Sequence, residues 1–311
     1  MNRTLRISAA LSLLLVTELI LVGCNATKSN SNTGGSGTND TSTMPVGMYM
    51  GTGSISGNVT VNGATSNFSG SPYLLGFVTS TGNYMLLSYS TGSPNVISQI
   101  DVGTATASNG SLASSDDQNY YLFPNFSADD YPDLLSYQGS TLAATYVSNA
   151  SITGTITYPG QDAVLSFPLG IIGASTQASS LSAVAGTYTG SFYSIGVAAS
   201  TSFQPAASTI TITPAGVLSG TVYCPFGVNN TRVSRPAAST PANCAVSGTV
   251  TARSDIDAYD VSISFVNGTT DSFPGTWVGV TATGLGYYNS TTQKFMVGTV
   301  TPGNIPFAFS N

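Results

Sequence analysis

Apolar residues in this chain recur at every second position. Tyr259, Val261, Ile263 and Phe265 alternate with Asp260, Ser262 and Ser264, and Ile210 and Ile212 alternate with Thr209, Thr211 and Thr213. Successive side chains of a strand point to opposite faces, so each run has one apolar and one hydroxyl-bearing face. Thr and Ser suit a pleated outer surface without needing charge. Beyond the first 23 residues no segment carries a sustained helical stripe. Pro214-Ala215-Gly216, Asn267-Gly268 and Pro302-Gly303 have the chemistry of turns and are expected to separate strands. The expected fold class is therefore all-β.

A repeat sets the domain plan. Gly47-Met48-Tyr49-Met50-Gly51 opens one β-rich block, and Gly186-Thr187-Tyr188-Thr189-Gly190 opens another 139 residues later. The second block has candidate strands near 186–194, 206–213, 217–224, 244–252, 258–266, 275–280, 282–289 and 294–300, with 305–310 as a further run. Eight strands in chain order with short turns suit an up-and-down antiparallel barrel, filled by side chains or holding one small ligand. The expectation is two tandem small β-barrel-like domains, 45–172 and 185–311. A 173–184 linker joins them, and its Ser/Leu/Ala end forms one helical turn.

The N-terminus reads as an export signal. Arg3 and Arg6 precede an apolar run from Ile7 to Val22 that ends in Leu21-Val22-Gly23-Cys24. A small residue that admits a peptidase, next to a thiol able to carry diacylglycerol, is a lipobox, so residues 1–23 are expected to be removed and Cys24 lipidated. The run is short of the roughly 20 apolar residues needed to span a bilayer, and it contains Glu18. Asn25 stands where an inner-membrane retention signal of Gram-negative lipoproteins has Asp, so outer-membrane delivery is expected, on either face. Residues 24–44 are Asn, Ser, Thr and Gly with almost nothing apolar, the composition of a disordered tether.

Composition removes most chemistry. Only 6% of the 311 residues are charged, the net charge is −6 and there is no histidine. Catalysis by Ser-His-Asp or Cys-His and imidazole metal sites are excluded. With no Lys or Arg between Lys28 and Arg232, nucleic acid is excluded as a partner. No constellation for nucleophilic or paired-carboxylate catalysis is visible, so the chain is expected to be non-enzymatic, with no cofactor and no metal. Cys224 and Cys244, an even pair in an oxidising compartment, are the expected disulfide. Closing that 20-residue loop would contribute about 3 kcal/mol.

Two places hold the remaining charge and exposed aromatic character. An insertion expected from Ser114 to Ser136 carries Asp116, Asp117, Asp129, Asp130 and Asp133, interleaved with Tyr120, Tyr121, Phe123 and Phe126. Calcium takes 6 to 8 oxygen ligands, but this spacing matches no calcium loop, and a solvated acidic loop is the plainer reading. Its aromatics form either a recognition surface or the loop's own small core. Arg232 and Arg235, inside the expected disulfide loop, either clamp a carboxylate partner or pair with Asp255, Asp257 or Asp260. Alternation places Asp255 and Asp257 at a turn and Asp260 on the outer face.

The second block resembles a group of uncharacterised proteobacterial lipoproteins with paired small β domains. The likeness rests on Gly186-Thr187-Tyr188-Thr189-Gly190, Leu218-Ser219-Gly220, Cys244-Ala245-Val246-Ser247-Gly248-Thr249-Val250, Tyr259-Asp260-Val261 and Thr281-Ala282-Thr283-Gly284-Leu285-Gly286. It implies secretion, lipidation and small barrels, and no activity. The Gly-x-aromatic opening also looks like the calycins, ligand-carrying barrels that include the lipocalins, although Tyr188 stands where lipocalins usually have Trp. The functional expectation is a membrane-anchored envelope interaction module with a protein partner, or alternatively a carrier of a small apolar ligand inside one barrel.

Overall fold

A computed structural model describes residues 43–61, 64–90, 96–122, 136–159, 162–172, 179–194, 207–223, 243–268, 279–304 and 306–311. The first eleven strands are β1 (Gly47–Thr52), β2 (Ser54–Val61), β3 (Ala64–Gly70), β4 (Tyr73–Val78), β5 (Asn83–Ser90), β6 (Val96–Thr104), β7 (Thr106–Ser108), β8 (Ser111–Tyr121), β9 (Ser136–Val147), β10 (Ser151–Tyr158) and β11 (Ala163–Ile171). After a single helical turn, α1 (Leu181–Val184), come β12 (Gly186–Ser194), β13 (Ala207–Ile212), β14 (Val217–Tyr223), β15 (Asn243–Ala252), β16 (Tyr259–Gly268), β17 (Thr281–Asn289), β18 (Lys294–Val300) and β19 (Pro306–Ser310).

Both sheets close, and all their pairings are antiparallel. Strands β12 to β19 form a barrel in strict chain order, shut by β12 against β19. The N-terminal barrel runs β1-β4-β5-β6-β8-β9-β10-β11 and shuts by β1 against β11. It is also a meander, because some of its strands are interrupted. β1 and β2 keep one unbroken register against β11, from Ile171 opposite Tyr49 to Val164 opposite Ser56. β3 and β4 likewise share one register against that long strand. The pair β2 and β3 is thus the outward continuation of a barrel hairpin. The all-β expectation of two up-and-down barrels holds.

The repeated Gly-x-Tyr-x-Gly segment does the same work twice. Tyr49 and Tyr188 point into their barrels, 0% and 6% exposed, and each hydroxyl donates to the carbonyl four residues earlier, Pro45 at 2.9 Å and Val184 at 2.6 Å. Burial pushes both phenols up to about 12. The second glycine sits where the last strand crosses the first. A Cβ at Gly51 would lie 2.1 Å from the Pro168 carbonyl oxygen, and one at Gly190 2.1 Å from that of Ser310. A side chain there would hold each barrel open.

Turns follow the sequence at Pro214–Gly216 and Pro302–Gly303, but Asn267-Gly268 falls inside β16. The 275–278 part of the strand expected at 275–280 lies outside the described residues, Gly279 is a turn, and β19 supplies the eighth strand. The insertion expected from Ser114 is a strand as far as Tyr121, because β8 runs to that residue. Cys244 is buried on β15, whereas Cys224 lies outside the described residues.

Three apolar clusters organise the molecule. Phe192, Phe265, Phe307 and Tyr188 help fill the C-terminal barrel, with Phe265 and Phe307 ring centroids 5.0 Å apart. Tyr49, Leu86, Ile156, Tyr158 and Phe167 belong to the core of the N-terminal barrel. The third cluster is a seam between the barrels: Leu75, Phe77, Met85, Leu87 and Ile100 from one, and Leu285, Met296, Ala308, Ile256 and Ala258 from the other. Strands at the seam are therefore buried on both faces, as in β5, where Tyr84 and Leu86 face inward while Met85 and Leu87 face the other barrel.

At the seam the second barrel presents bare backbone. A Cβ on Gly298 would lie 2.6 Å from Leu87 Cδ2, 3.1 Å from Met85 Sδ and 3.3 Å from Ile100 Cδ1. These side chains pack against one another and have little room to yield. Gly298→Val is expected to lower stability by about 1–3 kcal/mol in denaturant unfolding. Val217→Ala, at a position 52% exposed, should stay within about 0.5 kcal/mol.

Candidate functional site

The barrel interiors are the first place to look for a ligand. In the N-terminal barrel a void of about 30 Å³ is lined by Tyr49, Leu86, Leu142, Ile156, Phe167 and their neighbours. That is room for about one water, an order of magnitude below a ligand pocket of roughly 300–1,000 Å³. The aromatic cluster of the C-terminal barrel packs ring against ring.

One part of the N-terminal interior is polar, and a pair of bulges makes it so. Leu112 faces inward early in β8, but the register against β9 shifts between Ser114 and Asp117 and again between Asp117 and Gln118. The shift turns Asp117 and Asn119 into the barrel and Tyr120 out to the seam, which is the re-aiming that bulges perform. Asp117 and Asn119 are 0% exposed, as is Asp101 on β6, directly opposite Asn119. Asp101 accepts from Gln99 Nε2 at 2.9 Å, Asn119 Nδ2 at 2.5 Å and the Tyr158 hydroxyl at 3.1 Å. Asp117 accepts from the Tyr84 hydroxyl at 2.5 Å. Burial raises both carboxyls well above the usual range, and for Asp101 the charge of Asp117 adds to it. Both carboxyls are closed off from solvent.

Outside the barrels, a cleft of about 400 Å³ opens where the two splay apart. Its walls are Thr79 from the β4–β5 turn, Asn83 at the start of β5, Thr249 and Thr251 of β15, Ser262 of β16 and Thr283 of β17. Arg253 stands at this cleft. Its Nε and Nη2 each lie 2.9 Å from the Asp255 carboxylate, and its Nη1 lies 2.6 Å from Asp260 Oδ1. Asp255 Oδ2 also accepts from the backbone N–H and hydroxyl of Ser80, both at 2.9 Å, and so ties the barrels together across the rim. Burial alone would raise the Asp255 carboxyl, but Arg253 and Ser80 outweigh it and hold the group well below the usual carboxylate range.

The sequence-derived candidates divide. Tyr120 is 1% exposed, its hydroxyl lying between Gln118 Oε1 at 2.5 Å and Asn304 Oδ1 at 3.1 Å in the other barrel, so it belongs to the seam and not to an exposed loop. Asp117 is likewise a buried strand residue and not part of a solvated acidic loop. Tyr121 ends β8. Cys24, Phe123, Phe126, Asp129, Asp130, Asp133, Arg232 and Arg235 lie outside the described residues. Asp255 lies in a bend and Asp260 is exposed on β16, as alternation implied, and Arg253 is the arginine that meets both. Among the described residues no group of three or more His, Cys, Asp or Glu side chains is arranged to hold a metal.

Asp255→Asn removes the carboxylate shared by Arg253 and Ser80. The loss should be about 1–2 kcal/mol at neutral pH, with solvent at the rim keeping it below that of a fully buried pair. A lowered folded-state pKa gives stability that is present above about pH 4 and lost as pH falls through the folded value. The deficit of the variant should therefore shrink in acid, read by urea unfolding at pH 7 and pH 3.

No family model matches this chain, and no curated protein matches it. Among solved structures it is similar to Aeromonas veronii immune modulator A, at 9% identity over 84% of this chain and 94% of that one, with a TM-score of 0.30. It is also similar to transferrin binding protein B from serogroup B Neisseria meningitidis, at 8% identity over 86% and 76% with a TM-score of 0.28. A mutant of transferrin binding protein B from Haemophilus parasuis Hp5 is matched at 9% identity over 85% and 75%, with a TM-score of 0.26. Likenesses at this level assign neither a family nor an activity.

Proposed function

We propose that this chain is an outer-membrane-anchored lipoprotein that acts as a non-catalytic interaction module of the bacterial envelope, offering the outside of a fused pair of barrels to a protein partner. The observation that carries the reading is the filled interior. The void described in the N-terminal barrel holds about 30 Å³, too small for a ligand, which directs recognition toward the exterior. The alternative of an apolar carrier needs a larger cavity than the one found among the described residues of the N-terminal barrel. Arg3, Arg6, the apolar run to Val22 and Leu21-Val22-Gly23-Cys24 support export and lipidation, and residues 24–44 have the composition of a tether that would hold the barrels away from the bilayer. An oxidising compartment suits a Cys224–Cys244 disulfide.

For recognition, the inter-barrel cleft combines hydroxyls and a carboxamide with Arg253 and Asp260, a set that hydrogen-bonds a partner without strong charge selection. A chain without histidine and without a recognisable nucleophile-and-base motif in its sequence supports a non-catalytic role.

The test uses intact Gram-negative cells. Labelled palmitate should enter the wild-type chain and not Cys24→Ala, and the wild-type chain should fractionate with the outer membrane. A photo-reactive residue at Thr251 should give discrete protein adducts that the same residue at Val217 does not. An unlabelled wild-type chain would remove the anchor. Equal adducts at both positions, or none at Thr251, would remove the cleft as the contact.

A further inference from the structure

The hydrogen-bond account inside the N-terminal barrel does not close. Asp101 is supplied by three donors. Asp117 has one, at Oδ1, and its Oδ2 has none. Asn119 spends its amide N–H on Asp101, and its Oδ1 has no donor. Ser140, the cross-strand partner of Asp117, has an unpartnered hydroxyl. Asp117 and Asn119 are successive inward positions on β8, and all three residues are 0% exposed. The unsatisfied set therefore contains a carboxylate oxygen and an amide oxygen, both acceptors, with two hydroxyls able to donate, Ser140 opposite Asp117 and Ser88 on β5. An acceptor buried without a donor costs about 1–3 kcal/mol, and more if it is charged.

One hydrogen at Asp117 Oδ2 repairs this. It turns an acceptor into a donor within the acceptor-rich pocket and removes one of two buried negative charges. The described cations, Arg253 and Lys294, are both in the C-terminal barrel. The titratable groups that meet Asp117 are Asp101 on β6, Tyr84 on β5, and Asp116 and Tyr120 on its own strand, with Tyr158 on β10 bonded to Asp101. None of these brings a positive charge. We infer that the N-terminal barrel contains a built proton-binding site, in which the Asp101–Asp117 pair retains one proton on Asp117 in the folded protein while Asp101 stays ionised on its three donors.

The consequence is a pH-sensitive device. When base removes the proton, the barrel holds two negative charges beside orphan acceptors. Burial, opposed by the Tyr84 bond and helped by Asp116, raises the Asp117 carboxyl. A folded-state pKa raised above the unfolded one means the native state holds the extra proton from about pH 4 up to the folded value. Stability is greatest below that window, falls as pH rises through it and levels off above. The charge would act on β8, whose opposite face carries Tyr120 in the seam, so its effect reaches the joint between barrels. Because the chain has no histidine, no unperturbed side chain titrates between pH 5 and 8 to obscure the signal.

The experiment is thermal unfolding of the full-length chain in detergent at pH 5, 6, 7 and 8, for wild type and Asp117→Asn. Asn is neutral and carries an N–H where the acid carries its proton. The wild-type Tm should fall on the order of 5 °C from pH 5 to pH 8, and Asp117→Asn should be flat over the same range. Carboxyl carbon NMR of aspartate-labelled wild type, which needs no variant to fold, should show a buried carboxyl still protonated at pH 6. A wild-type profile without the fall, or an equal fall in Asp117→Asn, would overturn the proposal and indicate a buried water as the missing donor. A Tm at pH 8 that rises with calcium or sodium chloride and drops with chelator would overturn it in favour of a bound cation.

Discussion

The apolar seam between the barrels is the interaction on which the rest depends. A barrel alone needs apolar residues on its inner face, and its outer face can be Thr and Ser. Here Leu75, Phe77, Met85, Leu87 and Ile100 lie on the outer face of one barrel and meet Met296, Ala308 and Leu285 on the outer face of the other. Each such side chain contributes about 1.5–3 kcal/mol when taken fully out of water. The close approach at Gly298 lets the first barrel's side chains rest on the backbone of β18. At the rim the bridge from Ser80 through Asp255 to Arg253 adds direction to a contact that is otherwise non-directional.

The seam also explains which parts of the structure were legible in the sequence. In the C-terminal barrel, β13 and the β16 run from Tyr259 to Phe265 have one face inward, so alternation located them to within a residue or two. The two Gly-x-Tyr-x-Gly segments were legible as a repeat, and each proves to carry the tyrosine that bonds back four residues and the glycine at closure. In the N-terminal barrel alternation alone is ambiguous. On β6, Ile100 and Val102 alternate with Gln99 and Asp101, but the apolar residues face the other barrel and the polar ones face in. Period two says that the faces differ; it does not say which one is covered by a second domain. The bulge in β8 breaks the alternation itself, which is why a strand carrying Asp116 and Asp117 reads as an acidic loop.

Scarcity of charge, noted first as a filter on chemistry, acquires structural meaning. With so few ionised groups, the ones that are buried or bridged stand out. Asp101 and Asp117 are enclosed, and Asp255 and Asp260 share one arginine at the mouth of the cleft. The seam fixes one barrel against the other and so gives their outer surfaces a defined relation.

The seam should make the two barrels one cooperative body, and differential scanning calorimetry of the full-length chain measures whether it does. A single transition whose calorimetric and van't Hoff enthalpies agree is the predicted result. Two resolved transitions, or a calorimetric enthalpy near twice the van't Hoff value, would mean that the barrels unfold independently and would contradict the account.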